Sequence, residues 1–222
     1  MSLNAAILNP KTKHTGTLIF LHGLGDNGKG WCETFTTIQR PNIKYIFPHS
    51  ACRKVSLNFG MEMPAWFDIR DLTGEKEEDE AGILESVQYL HNLIANEVKL
   101  GIPSENIMIG GFSMGGALSM LAGIMSKIKL AGVIALSSWS LLHSRLPQLI
   151  GNKEYLRDLN ILQCHGTSDM IVDFKYAKKS SELMHSLGCQ KYKFIEYDNI
   201  GHESSLEVMR EVERFIKQWL VE

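Results

Sequence analysis

The chain has 222 residues, of which 44% are hydrophobic and 22% are charged, a composition typical of globular proteins and unlike that of disordered chains. The formal net charge of -2 offers no basic surface for a polyanion and argues against nucleic acid as a partner. The length predicts a single domain that spans residues 1–222.

The cysteine pattern and the chain start bear on location. No Cys-x-x-Cys pair occurs, and we interpret the cysteines as reduced thiols of an intracellular protein. No signal-peptide pattern opens the chain, and no apolar run approaches the roughly 18 residues that span a bilayer. We therefore expect a cytoplasmic protein with at most peripheral membrane contact. The four cysteines are Cys32, Cys52, Cys164 and Cys189.

Short β-branched and aromatic runs alternate with segments of helical periodicity. Because the runs are almost continuously apolar, they predict strands buried on both faces of a parallel sheet. The clearest helical periodicity covers residues 83–98, ending at Gly101, and residues 206–219. The alternation predicts an α/β fold, a mostly parallel central sheet with helices on both faces. The predicted strands are residues 17–21, 44–47, 106–109, 132–136, 160–164 and 193–197.

The motif with the most chemical content is Gly111-Phe-Ser113-Met-Gly115. It lies between a predicted strand and a predicted helix, which is the context that gives G-x-S-x-G its meaning. Glycine is needed at both ends, because side chains there would collide across so tight a turn. The helix N-terminus adds amide donors and a positive dipole end. We predict Ser113 as the nucleophile of a serine hydrolase with the α/β-hydrolase fold.

A serine nucleophile needs a base, usually a histidine held by a carboxylate, and in this fold the carboxylate and then the histidine follow the serine. His202 follows the last predicted strand, where open α/β sheets place their sites, whereas His185 falls on a predicted helix surface. We predict His202 as the base. Asp169, after the preceding strand, is the predicted carboxylate, with Asp173 as the alternative, since Asp198 is typical of a turn.

A glycine-rich loop follows the first predicted strand. Residues 23–28 match G-x-G-x-x-G, but the dinucleotide fingerprint also needs an acidic residue ending the second strand, and residues 47–50 contain none. We interpret the loop as half of an oxyanion hole, with the backbone N–H groups of Leu24 and Met114 as donors. The sequence contains no metal or P-loop motif and predicts catalysis without a cofactor or a metal.

Longer motifs cover nearly the whole chain. They include Phe20-Leu-His-Gly-Leu-Gly-Asp26, Met63-Pro-Ala-Trp-Phe-Asp68 and Gly110-Gly-Phe-Ser-Met-Gly-Gly-Ala117. In these motifs the chain resembles the acyl-protein thioesterase and lysophospholipase family. The resemblance implies hydrolysis of long-chain thioesters, notably S-palmitoyl groups on proteins, and also of lysophospholipids or carboxylesters. It implies the triad Ser113, Asp169 and His202. The expected substrates are S-acylated proteins or small lipid esters, and the expected state is a monomer or weak homodimer.

Two positions depart from the pattern of that family. Its members usually have glutamine after the nucleophile, where this chain has Met114. Some members also carry an acylated cysteine near the N-terminus, and this chain has none before Cys32. The sequence therefore leaves the preference between thioesters and oxyesters open. The alternatives to a long-chain thioesterase are a short-chain carboxylesterase and a weakly catalytic acyl-chain-binding protein.

The segment of residues 48–80 is predicted to be a long irregular loop, and such loops are usually functional. Its methionine and aromatic side chains suit a fatty chain, although they could simply cap the core. The predicted substrate-binding residues are Leu57, Met61, Met63 and Trp66.

Overall fold

The computed structural model describes residues 4–71 and 77–220. Its strands are β1 (Ala5–Leu8), β2 (Gly16–Leu21), β3 (Ile43–Pro48), β4 (Cys52–Val55), β5 (Met61–Pro64), β6 (Ile107–Phe112), β7 (Gly132–Leu136), β8 (Ile161–Gly166) and β9 (Tyr192–Tyr197). Its helices are α1 (Gly28–Thr36), α2 (Glu80–Lys99), α3 (Met114–Ile124), α4 (Leu146–Leu149), α5 (Lys153–Asp158), α6 (Phe174–Ser186) and α7 (Leu206–Trp219), with short 3-10 turns at Ser56–Asn58 and Ser104–Asn106.

Seven of these strands form one central sheet in the order β1-β3-β2-β6-β7-β8-β9. Strand β1 pairs antiparallel with β3, and every other pairing in this sheet is parallel. Strands β2, β7 and β8 are buried at every residue, as their continuous apolar sequences predict. Each of the six predicted strands overlaps a strand of this sheet, and the predicted α/β fold is confirmed.

Helices cover both faces of the sheet and enclose two apolar cores. One core packs α2 and α3 against the sheet, with Ile83, Leu90 and Leu118 fully buried. The other packs α1 and α7 against the opposite face and is rich in aromatic rings around Phe35 and Phe47. The predicted apolar periodicity marks the face that each helix turns toward the sheet from Ile83 to Ile94 and from Met209 to Ile216. The predicted face is wrong at Val98 and Leu206, which are exposed. None of the helices within the described ranges is long and apolar enough to cross a membrane.

Two features of the fold depart from the predicted elements. Strand β1 was not among the predicted strands, and residues 48–80 are not irregular throughout, because β4 and β5 pair there as an antiparallel hairpin. All three strands have four residues and are mostly half-buried or exposed. Such short, half-exposed strands lack the continuous apolar run by which the others were found.

A buried ionic cluster ties the sheet to α2 at the end where the parallel strands begin. Glu97, only 3% exposed, pairs with Lys44 Nζ at 2.6 Å. Its other carboxylate oxygen accepts a hydrogen bond from Thr17 Oγ1 at 2.8 Å. His14 Nε2 lies 3.0 Å from the same hydroxyl. Burial is tolerated because the charge is paired and hydrogen-bonded.

Candidate active site

Ser113 occupies a sharp turn between the end of β6 and the start of α3. Its backbone has φ 54° and ψ -121°, a conformation that costs on the order of 1–3 kcal/mol for a residue other than glycine. Two hydrogen bonds hold it there: Ser113 N–H donates to the carbonyl of Leu136 on β7 at 2.7 Å, and its carbonyl accepts from Ala117 at 3.0 Å. Strain of this kind is sustained where surrounding structure fixes the backbone.

Glycines let the backbone close around this turn. A Cβ added to Gly111 would lie 2.3 Å from the carbonyl carbon of Gly115. One added to Gly115 would lie 2.4 Å from the carbonyl oxygen of Leu21 on the neighbouring β2. Both distances are far below van der Waals contact and involve backbone atoms that cannot swing away. The steric reason given for glycine at these two positions is confirmed.

The loops that follow β8 and β9 are joined to each other by backbone hydrogen bonds. Thr167 N–H donates to the carbonyl of Tyr197 at 2.9 Å, and Ser168 N–H donates to that of Ile200 at 3.0 Å. Gly166 allows this approach, since a Cβ there would lie 2.1 Å from the Ile200 carbonyl oxygen. These hydrogen bonds bring the residues just after β8 close to the residues just after β9.

Asp169 and His202 meet at that place. His202 Nδ1 lies 2.7 Å from Asp169 Oδ2, and because a carboxylate only accepts, Nδ1 carries the proton. The lone pair of His202 then resides on Nε2. The imidazole packs on the ring of Phe112, the residue before Ser113, with ring centroids 4.7 Å apart.

The environment of Asp169 favours its charged form. Its side chain is fully buried, and burial raises the pKa of this carboxyl. The hydrogen bond from His202, together with those from the N–H groups of Val172 and Ile171, outweighs burial and leaves the pKa of Asp169 below its usual range. Asp173, the alternative carboxylate, is exposed, caps α6 and pairs with Lys175 at 3.0 Å. The structure brings Asp169, and not Asp173, to His202.

A second imidazole, which the sequence interpretation did not assign, lies beside Asp169. His165 is 1% exposed, and its Nε2 lies 2.8 Å from the Val172 carbonyl and 3.4 Å from Asp169 Oδ2. Burial lowers the pKa of His165 and so disfavours its charged form. Because a carbonyl only accepts, Nε2–H donates to Val172. The available signal was its place in the sequence, on β8 four residues before Asp169.

The two predicted oxyanion donors belong to segments that border Ser113. The N–H of Met114 is in the first turn of α3, which has no partner within the helix. A Cβ added to Gly23 would lie 3.4 Å from Ser113 Cβ, so the glycine-rich loop borders the serine. Within residues 4–71 and 77–220, the N–H groups of Leu24 and Met114 donate to no other group of the chain. The role of this pair as an oxyanion hole stays a prediction.

Trp66 does not present the open surface that was expected of it. Its side chain is 3% exposed, and indole Nε1 donates to the His22 carbonyl at 2.9 Å. The Trp66 N–H donates to Met114 Sδ at 3.3 Å, and its carbonyl accepts from Ser86 on α2. The expectation that Trp66 offers surface to a fatty chain is therefore corrected, because the residue is part of the core. Met114 is likewise buried, and its sulfur accepts from the chain at Trp66 instead of facing a substrate.

The other predicted substrate-binding residues lie on the hairpin of β4 and β5. Leu57 is 37% exposed and Met61 is 58% exposed, and Phe59 between them is 97% exposed. Met63 is half-buried, with its sulfur accepting from Asn58 Nδ2 at 3.1 Å. The hairpin joins the glycine-rich loop at its base, where Gly25 N–H donates to the Pro64 carbonyl at 2.8 Å. Binding of substrate by Leu57, Met61 and Met63 stays a prediction.

A cavity of about 670 Å³ lies between α6 and the segments 67–71, 77–83 and 139–145. Its walls combine apolar groups such as Trp139 with several carboxylates, and Ser113, Asp169 and His202 do not line it. Burial raises the pKa of Glu78 in this wall, although a hydrogen bond from the Leu142 N–H opposes the effect. Because carboxylates border it, we do not assign the cavity to an acyl chain.

Comparison with known proteins places this geometry in a family. A family model described as phospholipase/carboxylesterase matches residues 3–220. Acyl-protein thioesterase 1 of Neurospora crassa is 40% identical over 217 residues, which cover 94% of this chain and 88% of that protein. Acyl-protein thioesterase 1 of Cryptococcus neoformans var. neoformans is 38% identical over 238 residues, with 100% and 98% covered.

Solved structures give the same result. The crystal structure of Zea mays acyl-protein thioesterase 2 is 29% identical to this chain, with a TM-score of 0.91 and coverage of 99% of this chain and 100% of that one. The crystal structure of Arabidopsis thaliana SOBER1 is also 29% identical, with a TM-score of 0.86 and coverage of 93% and 100%. The chain therefore belongs to the phospholipase/carboxylesterase family of α/β-hydrolases and is a serine hydrolase.

Proposed function

We propose that this enzyme hydrolyses long-chain acyl thioesters, with S-palmitoyl groups on proteins as the principal substrate class. The observation that carries the chemistry is the 2.7 Å hydrogen bond between Asp169 and His202, beside the strained turn of Ser113. The relatives named acyl-protein thioesterase, similar over almost their entire length, support the choice of thioester and of acylated protein.

In the proposed acylation step, Ser113 Oγ attacks the thioester carbonyl carbon. His202 Nε2 takes the hydroxyl proton, while Asp169 stabilises the resulting imidazolium and keeps the ring oriented. The carbonyl oxygen becomes an oxyanion that accepts hydrogen bonds from the N–H groups of Leu24 and Met114. The carbon–sulfur bond then breaks, His202 returns the proton to the departing thiolate, and an acyl-serine remains.

Deacylation repeats these steps with water as the nucleophile and Ser113 Oγ as the leaving group. His202 removes a proton from water, the resulting hydroxide attacks the acyl-serine, and the same two N–H groups hold the second oxyanion. Collapse of that intermediate releases the fatty acid and returns the proton to Ser113 Oγ. His202 relays the protons in both half-reactions, first from Ser113 and then from water, and the same two N–H groups serve both oxyanions.

The acyl chain is proposed to lie along the hairpin of β4 and β5. Leu57, Met61 and Met63 offer flexible apolar side chains next to the glycine-rich loop, and such side chains adapt to a polymethylene chain. Each buried methylene contributes up to about 0.8 kcal/mol. Activity is therefore expected to increase with chain length from butyryl to palmitoyl.

Hydrolysis of oxyesters, including lysophospholipids, is the second proposed activity. It is supported by the family description, phospholipase/carboxylesterase, and by the chemistry, since the same acyl-serine forms from an oxyester. A short-chain carboxylesterase would show the opposite chain-length trend. A weakly catalytic acyl-chain-binding protein would bind palmitate but turn over slowly.

The experiment combines active-site labelling with a substrate series. A fluorophosphonate probe should label the wild type and spare Ser113→Ala, and Ser113→Ala should lower kcat by about 10⁶-fold. Butyryl, octanoyl and palmitoyl thioesters, each with its matched oxyester, then report chain length and leaving-group preference. Equal labelling of both proteins would reject Ser113 as the nucleophile, and a decline in kcat/KM toward palmitoyl would reject the long-chain substrate.

Location and assembly complete the proposal. We infer a cytoplasmic enzyme with at most peripheral membrane contact, and the cytoplasmic location is supported by four free cysteines of the kind kept reduced in that compartment. We also infer a monomer or weak homodimer. Size-exclusion chromatography with light scattering at micromolar concentration should give a mass near 25.0 kDa, and a stable higher mass would contradict the inference.

A further inference from the structure

His22, the residue that follows β2, is fully buried and has both ring nitrogens engaged. Nε2 lies 3.1 Å from the backbone N of Ser50, and an N–H group can only donate, so Nε2 accepts. Nδ1 lies 2.7 Å from the carbonyl oxygen of Gly23, which can only accept, so Nδ1 carries the proton. The two partners together select one neutral tautomer of this imidazole.

The carbonyl that His22 holds belongs to the peptide unit whose N–H is the proposed oxyanion donor. Gly23 C=O and Leu24 N–H share one planar peptide group, and no cis peptide bond occurs in the described residues. In a trans peptide the C=O and the N–H point in opposite directions. Fixing the Gly23 oxygen on the imidazole, with a further 3.3 Å contact from Asp26 N–H, therefore fixes the direction of the Leu24 N–H.

The imidazole itself cannot turn. The Trp66 ring lies 5.0 Å from it, centroid to centroid, and Trp66 Nε1 donates to the His22 carbonyl. Burial lowers the pKa of His22, which opposes a cation whose Nε2–H would face the Ser50 N–H. The ring is therefore a rigid neutral connector between the residues after β3 and the glycine-rich loop.

We propose that His22 is a positioning residue that aims the Leu24 N–H at the oxyanion by hydrogen-bonding the Gly23 carbonyl. The inference rests on the proposed oxyanion hole and adds to it a reason for the direction of one donor. Hydrogen bonds to an oxyanion contribute most when the donors are oriented before the reaction begins. An N–H group that could rotate away would stabilise the transition state less. It would leave the affinity for the substrate unchanged.

A matched pair of substitutions separates the two ring nitrogens. The side-chain amide of Asn reaches the position of Nδ1, so His22→Asn keeps a donor for the Gly23 carbonyl and loses the acceptor for Ser50. Gln reaches the position of Nε2, so His22→Gln keeps the acceptor and loses the donor. We measure kcat and KM with a palmitoyl thioester, the rate of labelling by a fluorophosphonate, and the thermal unfolding midpoint.

The expected result is a kcat for His22→Gln lower than wild type by on the order of 10²-fold, the effect of losing one oxyanion donor. KM should be nearly unchanged, because the lost interaction acts in the transition state. Labelling should slow in parallel, since phosphonylation also develops a negatively charged oxygen. His22→Asn should retain most of the activity, even if its unfolding midpoint falls further than that of His22→Gln.

Equal kcat losses in the two variants, or a larger loss in His22→Asn, would overturn the proposal and leave His22 a space-filling residue. If neither variant folds, the ¹⁵N chemical shifts of the His22 ring in the wild type decide. A protonated Nδ1 with an unprotonated Nε2 supports the inference, and the reverse tautomer overturns it. Failure here is separable from failure of the proposed function, which Ser113→Ala tests independently.

Discussion

The turn at Ser113 and the hairpin of β4 and β5 are neighbouring regions that differ in burial and in packing. At the turn, Ser113 is 8% exposed, and the flanking glycines leave no room for another carbon atom. On the hairpin, Phe59 is 97% exposed and takes φ 57°, a left-handed conformation unusual for an aromatic residue. Backbone strain is present in both, but at the turn it is enclosed by tightly packed atoms, whereas at Phe59 backbone hydrogen bonds such as Phe59 N–H to the Ser56 carbonyl at 3.1 Å hold it beneath an exposed side chain.

The contrast indicates how the two parts of the enzyme divide their roles. Transition-state chemistry needs groups held to within a fraction of an ångström, and the packed carboxyl end of a parallel sheet provides that. Recognition of a flexible chain needs apolar area without a fixed shape, which an exposed hairpin provides. Substitutions in the two regions should therefore differ in what they change as well as in how much.

After removal of the nucleophile itself, the largest effect is expected at the carboxylate. Asp169→Asn should lower kcat by about 10⁴-fold, because an amide that donates to His202 reverses the tautomer needed for a base. Asp173→Asn is the matched control: the residue is an exposed helix cap, and Asn caps as well as Asp. In steady-state kinetics, kcat of the two variants should differ by about 10⁴-fold. Comparable decreases in kcat would refute the assignment of Asp169.

A methyl group placed in the turn should cost the next most. Gly115→Ala forces a Cβ against backbone atoms of Leu21 and His22, and overpacking of this kind costs about 3 kcal/mol of unfolding free energy. Gly30→Ala in α1 is the control, since nothing lies within 4 Å of its added Cβ and Ala favours the helix by about 1 kcal/mol. Urea unfolding should shift in opposite directions, and shifts of the same sign would contradict the steric account.

Acid should destabilise the site through His165. Burial lowers the pKa of His165 in the folded state. As the pH decreases below the unfolded value of about 6.5, the unfolded chain therefore takes up a proton more readily than the folded chain, and the free energy of unfolding decreases. His165→Gln keeps a donor for the Val172 carbonyl and removes this proton. Its unfolding free energy should fall less steeply between pH 7 and 5, by up to about 1.4 kcal/mol per pH unit. Parallel curves would show that His165 is not the titrating group; His14 and His22 contribute equally to both proteins.

The smallest effects are expected on the hairpin. Phe59→Asn should stabilise the fold by less than about 1 kcal/mol, because Asn tolerates the left-handed conformation. It should raise KM for a palmitoyl thioester about fivefold, the loss of about 1 kcal/mol of apolar contact, with kcat nearly constant. Leu100→Asn, at an equally apolar exposed position beyond α2, should leave KM unchanged. Identical KM values in all three proteins would remove the hairpin from the acyl-binding surface.

Much of this architecture was accessible from local sequence, because the buried strands are continuous apolar runs and the long helices are periodic. Ser113 was accessible for the same reason, since its motif needs a strand before it and a helix after it. Asp169 and His202 followed from chain order and from their place after strands. In each case a short stretch of sequence carries the constraint.

What could not be predicted depends on contacts between distant segments. The burial of Trp66 results from partners just after β2, on α3 and on α2, and nothing in residues 48–80 distinguishes a core indole from a surface one. Strand β1 and the hairpin are too short to show a period. The engagement of His22 and His165 is visible only once Ser50 and Val172 are placed against their rings.

The ion pair between Glu97 and Lys44 lies at the end of the sheet remote from Ser113. Removing Lys44 would leave a nearly inaccessible carboxylate without its counter-charge, a defect that typically costs about 3–5 kcal/mol. Each molecule that still folded would turn over substrate normally. Inherited variation at this position would therefore act on the quantity of enzyme in a cell, and would pass unnoticed in any assay normalised to active sites.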